Sequence, residues 1–326
     1  MERILVAGGG GFIGSHLARQ LYRQGYFVRV ADFKFDDYIK EKYYSEKLQL
    51  DLREADNCLK AVEGMDRVYN LAANMGGIGY ITSVSADVMR DNVLINTGMC
   101  EASVRHRVKR LFFSSSACIY PNYKQTTPDA PPLKEADAYP ADPNEAYGWE
   151  KLFTEELMKG YQKDYGLNIR IARLHNVYGP EGTYKGGREK APAALSRKVA
   201  EAANPGNIVV WGDGKATRSF CYIDDCVRGV ITLMESDYDR PLNIGSNRLV
   251  TMDELADIIV KISGKKITLT HDLAAPQGVR GRNADLTLVK KTIGWEPRVS
   301  LEEGLEKTYR WVEKMVNTDK IGSPAK

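Results

Sequence analysis

Ser116, Tyr147 and Lys151 are the first group in this sequence able to do chemistry. Tyr147 and Lys151 are four positions apart. On a helix opening near Tyr147, that spacing puts both side chains on one face, about one turn apart. A phenol has a reference pKa of about 10, too high for a good base near neutrality. An ammonium close by favours the phenolate and lowers that value. The Ser116 hydroxyl can hydrogen-bond the same substrate alcohol. Together the three make a proton-transfer device for oxidising an alcohol. Alone, Tyr-x-x-x-Lys carries little weight, because any helix surface offers that spacing. An exposed tyrosine and a solvated lysine are the plain alternative.

The elements around the trio tip the balance. Arg110-Leu111-Phe112-Phe113 is an apolar run that stops in Ser114-Ser115-Ser116. It reads as a buried parallel strand over 110–114, with its carboxyl end at a ligand site. Near the start, Ile4-Leu5-Val6-Ala7 leads into Gly8-Gly9-Gly10-Gly11-Phe12-Ile13-Gly14, and Ser15 to Leu21 have helical spacing. A phosphate-binding turn requires this order of strand, glycine turn and helix. Gly8, Gly11 and Gly14 permit the tight turn, the approach of a pyrophosphate and the packing of helix on strand. A second strand, Phe27 to Ala31, ends at Asp32. That carboxylate can accept from adenosine ribose hydroxyls and repel a 2′-phosphate, so NAD is expected over NADP, with Lys34 as a small counterweight. A third strand, Leu48 to Leu52, turns Asp51 towards the adenine edge; a loop carboxylate is the plain alternative.

Arg67 to Ala73 reads as a fourth strand, followed by Asn74-Met75-Gly76-Gly77-Ile78-Gly79. Glycines at a strand end mark backbone that approaches a ligand or moves. One long helix is expected over 82–105, carrying Asn92 and Asn96. Prolines 128, 131, 132, 140 and 143 mark an exposed loop before Tyr147. A sixth strand, Asn168 to Leu174, ends in His175-Asn176-Val177-Tyr178-Gly179-Pro180, and Pro192 opens a helix to about Ala203. This alternation predicts an α/β fold with a doubly wound parallel Rossmann sheet. The C-terminal part adds a smaller α+β domain, with capping boxes at Thr251–Glu254 and Ser300–Glu303. The expected division is 1–176 plus 208–236 for the cofactor and 177–207 plus 237–326 for the substrate. Ile321 to Lys326 are expected to fray.

The 326 residues suffice for one large or two modest domains. A net charge of +3 is too small to indicate nucleic acid or a membrane as partner. No apolar run spans a bilayer, and Met1-Glu2-Arg3 shows no sign of a leader. The five cysteines are scattered without a C-x-x-C, and the four histidines are far apart. Neither a disulfide frame nor a metal site is indicated, and a reducing cytoplasm is the expected setting. Lys185, Arg188, Lys190, Arg197 and Lys198 form a basic cluster whose plain reading is a solvated helix face. Arg218, Arg280 and Arg282, gathered from separate loops, suit a diphosphate, which guanidinium groups bind bidentately.

With these residues assembled, the chain resembles the extended short-chain dehydrogenase/reductases, the family acting on nucleotide sugars, nearly end to end. Its 4-epimerases and 4,6-dehydratases share the glycine turn and Tyr-x-x-x-Lys. Two further stretches are Ala117-Cys118-Ile119-Tyr120-Pro121 and Gly186-Gly187-Arg188-Glu189-Lys190-Ala191-Pro192. This pair looks like that of the family's epimerases acting on GDP-mannose. Asn74 and Ala216 depart from that pattern, where aspartate and glutamine are expected.

The resemblance implies a reaction without net redox change. NAD oxidises C4 of the sugar while Tyr147 takes the hydroxyl proton, and Lys151 holds Tyr147 and the nicotinamide ribose. The 4-ketone acidifies C3 and C5, where Cys118 and Lys190 exchange protons on opposite faces. A lone cysteine is more often a small buried hydrophobe. Asn176, Arg188, Lys198, Arg218, Arg280 and Arg282 would hold the GDP-sugar, with Gly76 touching it through its backbone. Gly8, Gly11, Phe12, Ile13, Gly14, Asp32 and Asp51 would hold NAD. The resemblance also implies a homodimer through the helices near 82–105 and 147–165. A 4-epimerase or dehydratase, and a non-catalytic NAD-binding protein on the same scaffold, stay open.

Asp32→Ala is expected to weaken NAD binding about tenfold or more, the worth of hydrogen bonds to a charged acceptor, and to relax discrimination against NADP. Calorimetry checks this, and wild-type NAD affinity in the variant contradicts it.

Overall fold

Strands of four to seven residues alternate with helices through the first 174 residues. The computed structural model describes residues 1–35, 38–39 and 41–322. The strands are β1 (Arg3–Ala7), β2 (Phe27–Asp32), β3 (Glu46–Gln49), β4 (Arg67–Asn70), β5 (Arg110–Ser116) and β6 (Ile169–Leu174). Between them run α1 (Phe12–Arg23), α2 (Ala55–Val62), α3 (Ile78–Ser83), α4 (Ser85–Arg105) and α5 (Ala146–Tyr165). Then come β7 (Val177–Tyr178), α6 (Ala191–Glu201), β8 (Gly206–Trp211), β9 (Thr217–Ser219), β10 (Cys221–Tyr222) and α7 (Ile223–Glu235). The chain closes with β11 (Leu242–Ile244), β12 (Leu249–Thr251), α8 (Met252–Ser263), β13 (Ile267–Asp272), β14 (Gly281–Arg282), α9 (Thr287–Ile293) and α10 (Leu301–Gly322). α10 thus covers the start of the stretch expected to fray, and residues 323–326 lie outside the described residues.

Seven strands form one parallel sheet in the order β11-β6-β5-β4-β1-β2-β3. The order reverses between β1 and β4, and in such doubly wound sheets ligands bind at the carboxyl ends beside that point. Side chains alternate across the sheet, so each face buries its own core. Ile4 and Val6 pack with Leu17 and Leu21 of α1 on one side. Leu5 and Ala7 pack with Ile95 and Met99 of α4 on the other. The smaller sheets pair β9 with β12 and β14, β8 with β13, and β7 with β10. At α8 the Thr251 hydroxyl accepts from the Glu254 N–H at 3.0 Å, and the Glu254 carboxylate accepts from the Thr251 N–H at 2.7 Å, as the capping-box spacing predicts.

Four boundaries differ from the sequence expectation. β4, expected to reach Ala73, ends at Asn70, the last residue paired with β1 and β5. β3 spans 46–49 because its partner β2 ends at Asp32, which pairs with Gln49. Asp51 therefore lies beyond the ladder, in a loop. β5 runs on to Ser116, since Ser114, Ser115 and Ser116 pair with Ala172, Arg173 and Leu174 of β6. The helix expected over 82–105 is broken at Val84, whose backbone (φ −134°, ψ 44°) is not helical. The break lets α3 follow the Gly77 backbone, whose N–H bonds the Arg188 carbonyl at 3.1 Å, while α4 packs on α2 and α5.

A buried ion pair fixes α5 to the sheet. Arg173 of β6 donates to Glu155 of α5 through Nε at 3.0 Å and Nη2 at 2.7 Å, and Ser115 Oγ donates to the same carboxylate at 2.5 Å. Breaking such a pair strands the remaining charge. Glu155→Ala is therefore expected to cost about 3–5 kcal/mol in unfolding free energy, measured in denaturant. A loss under about 1 kcal/mol, the surface ion-pair range, contradicts this anchoring.

Candidate active site

A cavity of about 960 Å³ opens at the carboxyl ends of the strands. Its wall includes Gly8, Gly11, Phe12, Ile13 and Gly14, then Asp32, Asp51, Gly76, Ser116, Tyr147, Asn176, Arg188 and Lys190. The glycine turn can lie this flat for a steric reason. A Cβ on Gly8, where φ is +81°, would come within 2.6 Å of the Ala72 nitrogen, and one on Gly14 within 2.1 Å of the Gly8 carbonyl oxygen. Asp32 ties the turn to β2, accepting from the Gly10 N–H at 3.1 Å and the Lys34 N–H at 3.3 Å. Asp51 chelates its neighbour Arg53, whose hydrogen bonds hold its carboxyl below the usual range.

Ser116 ends β5 and Tyr147 opens α5 on one side of the cavity. Tyr147 and Lys151 are both buried, with Lys151 Nζ 5.4 Å from the centre of the Tyr147 ring and 4.7 Å from that of Phe113. Among the described residues Lys151 Nζ has no hydrogen-bond partner. Burial pushes the Tyr147 phenol well above its ordinary pKa; Cys118 and Glu150 add to this, and the bond to Ser116 opposes it. This corrects the expectation from spacing that the lysine leaves the phenol lowered. Burial of the phenol sets the direction, opposed only by the Ser116 bond, and burial lowers Lys151 as well, against Glu150 and Cys118.

Cys118 sits one turn past the strand, where the Ser116 hydroxyl accepts from its backbone N–H at 3.1 Å. Arg282 of β14, 164 residues away, donates from Nη1 to the Cys118 sulfur at 3.3 Å and from Nε to Gln125 Oε1 at 2.6 Å. Burial alone would raise this thiol. The Arg282 guanidinium, the Ser116 hydroxyl and the Lys190 ammonium outweigh it and hold the thiol below its ordinary value. Burial lowers Lys190 from the ordinary ammonium range, while Cys118 opposes that shift. Both groups are thereby moved towards neutrality, where proton exchange is fastest.

Cys118, Lys151, Lys198, Arg218, Arg280 and Arg282 lie outside the cavity wall. Arg218 and Arg282 are register partners on adjacent strands. Burial, with repulsion from Arg282, brings Arg218 down to about 9. Arg280 is paired with Asp213 at 3.0 Å, and Lys198 Nζ donates to the Val209 carbonyl at 2.6 Å. Asn176 has a left-handed backbone (φ 38°), held by its side-chain bond to the Ser219 carbonyl at 2.9 Å. Sequence reasoning missed Gln125, which orients Arg282, and Glu150, which is fully buried beside Lys151. Glu150 had a signal, being three residues after Tyr147 on the same helix face. Among the described residues no group of His, Cys, Asp or Glu could hold a metal, and no helix is long and apolar enough to cross a membrane.

The site fits a dinucleotide. The N-cap of α1 is Gly11, which makes no side-chain cap, so the helix end keeps its charge for an anion. Asp32 offers a ribose acceptor and the orphaned Lys151 ammonium offers donors. Comparison with known proteins agrees. The model of the NAD dependent epimerase/dehydratase family matches residues 4–245. The chain is 47% identical over 319 residues to GDP-mannose 3,5-epimerase of Arabidopsis thaliana, covering 98% of this chain and 84% of that one. Among solved structures it resembles the UDP-glucose 4-epimerase of Thermotoga maritima with UDP-glucose, at 27% identity and a TM-score of 0.88, covering 96% of this chain and 99% of that one. It also resembles the UDP-glucuronic acid 4-epimerase of Bacillus cereus in complex with UDP-glucuronic acid and NAD, at 26% identity and a TM-score of 0.82, covering 96% and 99%.

Cys118 is partly exposed whereas the other four cysteines are buried, so alkylation of the folded protein reports on it selectively. The alkylation rate of Cys118 is expected to rise through an inflection below the ordinary thiol value of about 8.5. Arg282→Gln removes the cation and moves that inflection to higher pH. Coincident profiles for the two proteins contradict the electrostatic role of Arg282.

Proposed function

The chain belongs to the NAD dependent epimerase/dehydratase family, and from that premise we propose that it inverts C3 and C5 of GDP-mannose through a transient 4-keto sugar. The product is GDP-L-galactose, and GDP-L-gulose where only C5 inverts. One observation carries this reading beyond the family: Cys118, with its N–H on the Ser116 hydroxyl at 3.1 Å and its sulfur accepting from Arg282 at 3.3 Å, and Lys190 on the cavity wall supply a second pair of candidate proton carriers beside Tyr147 and Lys151. A 4-epimerase needs no such second pair of proton carriers.

When bound, NAD supplies a hydride acceptor for C4 and returns the hydride at the end, so the reaction carries no net redox change. Gly8, Gly11, Phe12, Ile13, Gly14, Asp32 and Asp51 would hold it, and Lys151 would bind its nicotinamide ribose. Ser116 holds the C4 hydroxyl and Tyr147 removes its proton. The Lys151 ammonium is the chain's own source of positive charge for the phenolate. A ketone at C4 makes the hydrogens on C3 and C5 acidic. Of Cys118 and Lys190, one removes a proton from one face of the ring and the other returns one to the opposite face. Asn176, Arg188, Lys198, Arg218, Arg280 and Arg282 hold the GDP and sugar, with the Gly76 backbone against the ring. For Arg280 this means exchanging Asp213 for phosphate.

In this function the chain divides into a cofactor unit, 1–176 with 208–236, and a substrate unit, 177–207 with 237–326. The two exchange strands: β11 closes an edge of the cofactor sheet, and β8 pairs with β13. The protein works as a cytoplasmic homodimer in this proposal. Supporting the dimer, α4 exposes Met89 and Leu94, and α5 exposes Trp149 and Phe153 one turn apart.

Removing a general acid or base typically costs about two to four decades in rate. Cys118→Ala, and separately Lys190→Ala, are expected to reduce deuterium uptake from heavy water into the sugar by that factor. Both keep Tyr147 and Lys151, so both still form NADH on the enzyme with GDP-mannose, seen as near-ultraviolet absorbance. Tyr147→Phe loses both signals. Wild-type exchange in Cys118→Ala reduces the cysteine to packing and removes the support for this reading.

A further inference from the structure

Glu150 follows three residues after Tyr147 and immediately precedes Lys151, with no solvent exposure. Its Oε1 accepts from Asn96 Nδ2 at 2.6 Å and Thr154 Oγ1 at 3.2 Å, and its Oε2 from Asn92 Nδ2 at 3.2 Å. These donors favour the ionised carboxylate, while burial raises its pKa. Oε2 lies 4.0 Å from Lys151 Nζ, the ammonium without a hydrogen-bond partner. A buried cation is costly unless an opposite charge stands close. The other groups facing Lys151 are Cys118 from the turn after β5, the Tyr147 phenol and the Phe113 ring. Arg173 of β6 and Ser115 of β5 are both engaged by Glu155. From α4, Asn92 and Asn96 are neutral, and Asp91 is bound to Arg53, Arg90 and Asn74.

The same carboxylate is linked to the substrate side. Asn92 Oδ1 accepts from the Asn74 N–H at 2.6 Å, and Asn74 Oδ1 accepts from the Tyr80 hydroxyl at 2.8 Å. The Tyr80 oxygen accepts from Arg188 Nη2, and the Arg188 guanidinium stacks 3.9 Å from the centre of the Tyr80 ring. Arg188 lines the cavity.

We propose that Glu150 is a positioning residue, the counter-ion that keeps Lys151 an ammonium and, through Asn92, Asn74 and Tyr80, ties it to Arg188 on the substrate loop. This rests on the function proposed above. The sign follows from the geometry. Without the carboxylate, Lys151 loses the charge that raises its pKa, so the ammonium is lost at lower pH. Activity that needs the ammonium then fails earlier as pH rises.

The test uses the NAD-loaded enzyme with carbon-13 at the lysine Cε, the Lys151 signal being assigned by its absence in Lys151→Arg. Glu150→Gln is expected to lower the pKa read from that signal by one unit or more. The alkaline limb of kcat/KM for GDP-mannose should move down by the same amount. Glu150→Asp, whose shorter side chain draws the charge back from Nζ, shifts both in the same direction by less, and it decides the matter where the glutamine variant does not fold. Unmoved titration of Lys151 in the folded variant overturns the proposal. A wild-type protein that fails to turn over GDP-mannose overturns the substrate reading instead, and the titration still decides the role of Glu150.

Discussion

A glycine in the first turn of α5 sets how close that helix comes to the loop after β5. A Cβ on Gly148 would lie 2.2 Å from the Cys118 carbonyl oxygen and 2.9 Å from the Pro143 Cβ. Because Gly148 has none, the helix rests directly on the Cys118 backbone. That contact brings Ser116 and Cys118, carried by the strand, against Tyr147 and Lys151, carried by the helix. The Arg173–Glu155 pair secures the same helix two turns further on. The proton chemistry proposed for the site depends on this approach, since a helix displaced by one side-chain radius would separate phenol and serine beyond hydrogen-bond reach.

Burial then decides how the gathered groups titrate. It raises Tyr147 and lowers Lys151 and Lys190, in each case disfavouring the charged form. Cys118 goes the other way because a guanidinium touches its sulfur. Cys118 and Lys190 are thus both brought down towards neutrality, whereas Tyr147 is moved away from it. Arg218 and Arg282, side by side on paired strands, leave an excess of positive charge near the cysteine. That excess suits an anionic substrate and a developing enolate alike.

Much of the site was legible in local spacing. The glycine turn, Asp32 at the end of β2 and the shared face of Tyr147 and Lys151 all follow from periods of two and 3.6 residues read along short windows. Ser116 was legible as the end of an apolar run, although pairing with β6 carries the strand two residues further. The break at Val84 was not, and α3 before it starts from its N-cap, Gly77, whose N–H bonds the Arg188 carbonyl far along the chain. Neither was the Cys118–Arg282 contact, which joins loops 164 positions apart. The direction of the Tyr147 shift was misread from spacing, because it depends on how much water the fold removes.

The proposed reaction is a redox-neutral inversion at C3 and C5 of one sugar. The most direct measurement incubates the NAD-loaded protein with GDP-mannose and identifies the hexose by proton NMR. GDP-L-galactose is expected, with the enzyme's NAD content the same at the end as at the start. A product inverted at C4 alone, or a dehydrated 4-keto-6-deoxy sugar, would contradict it.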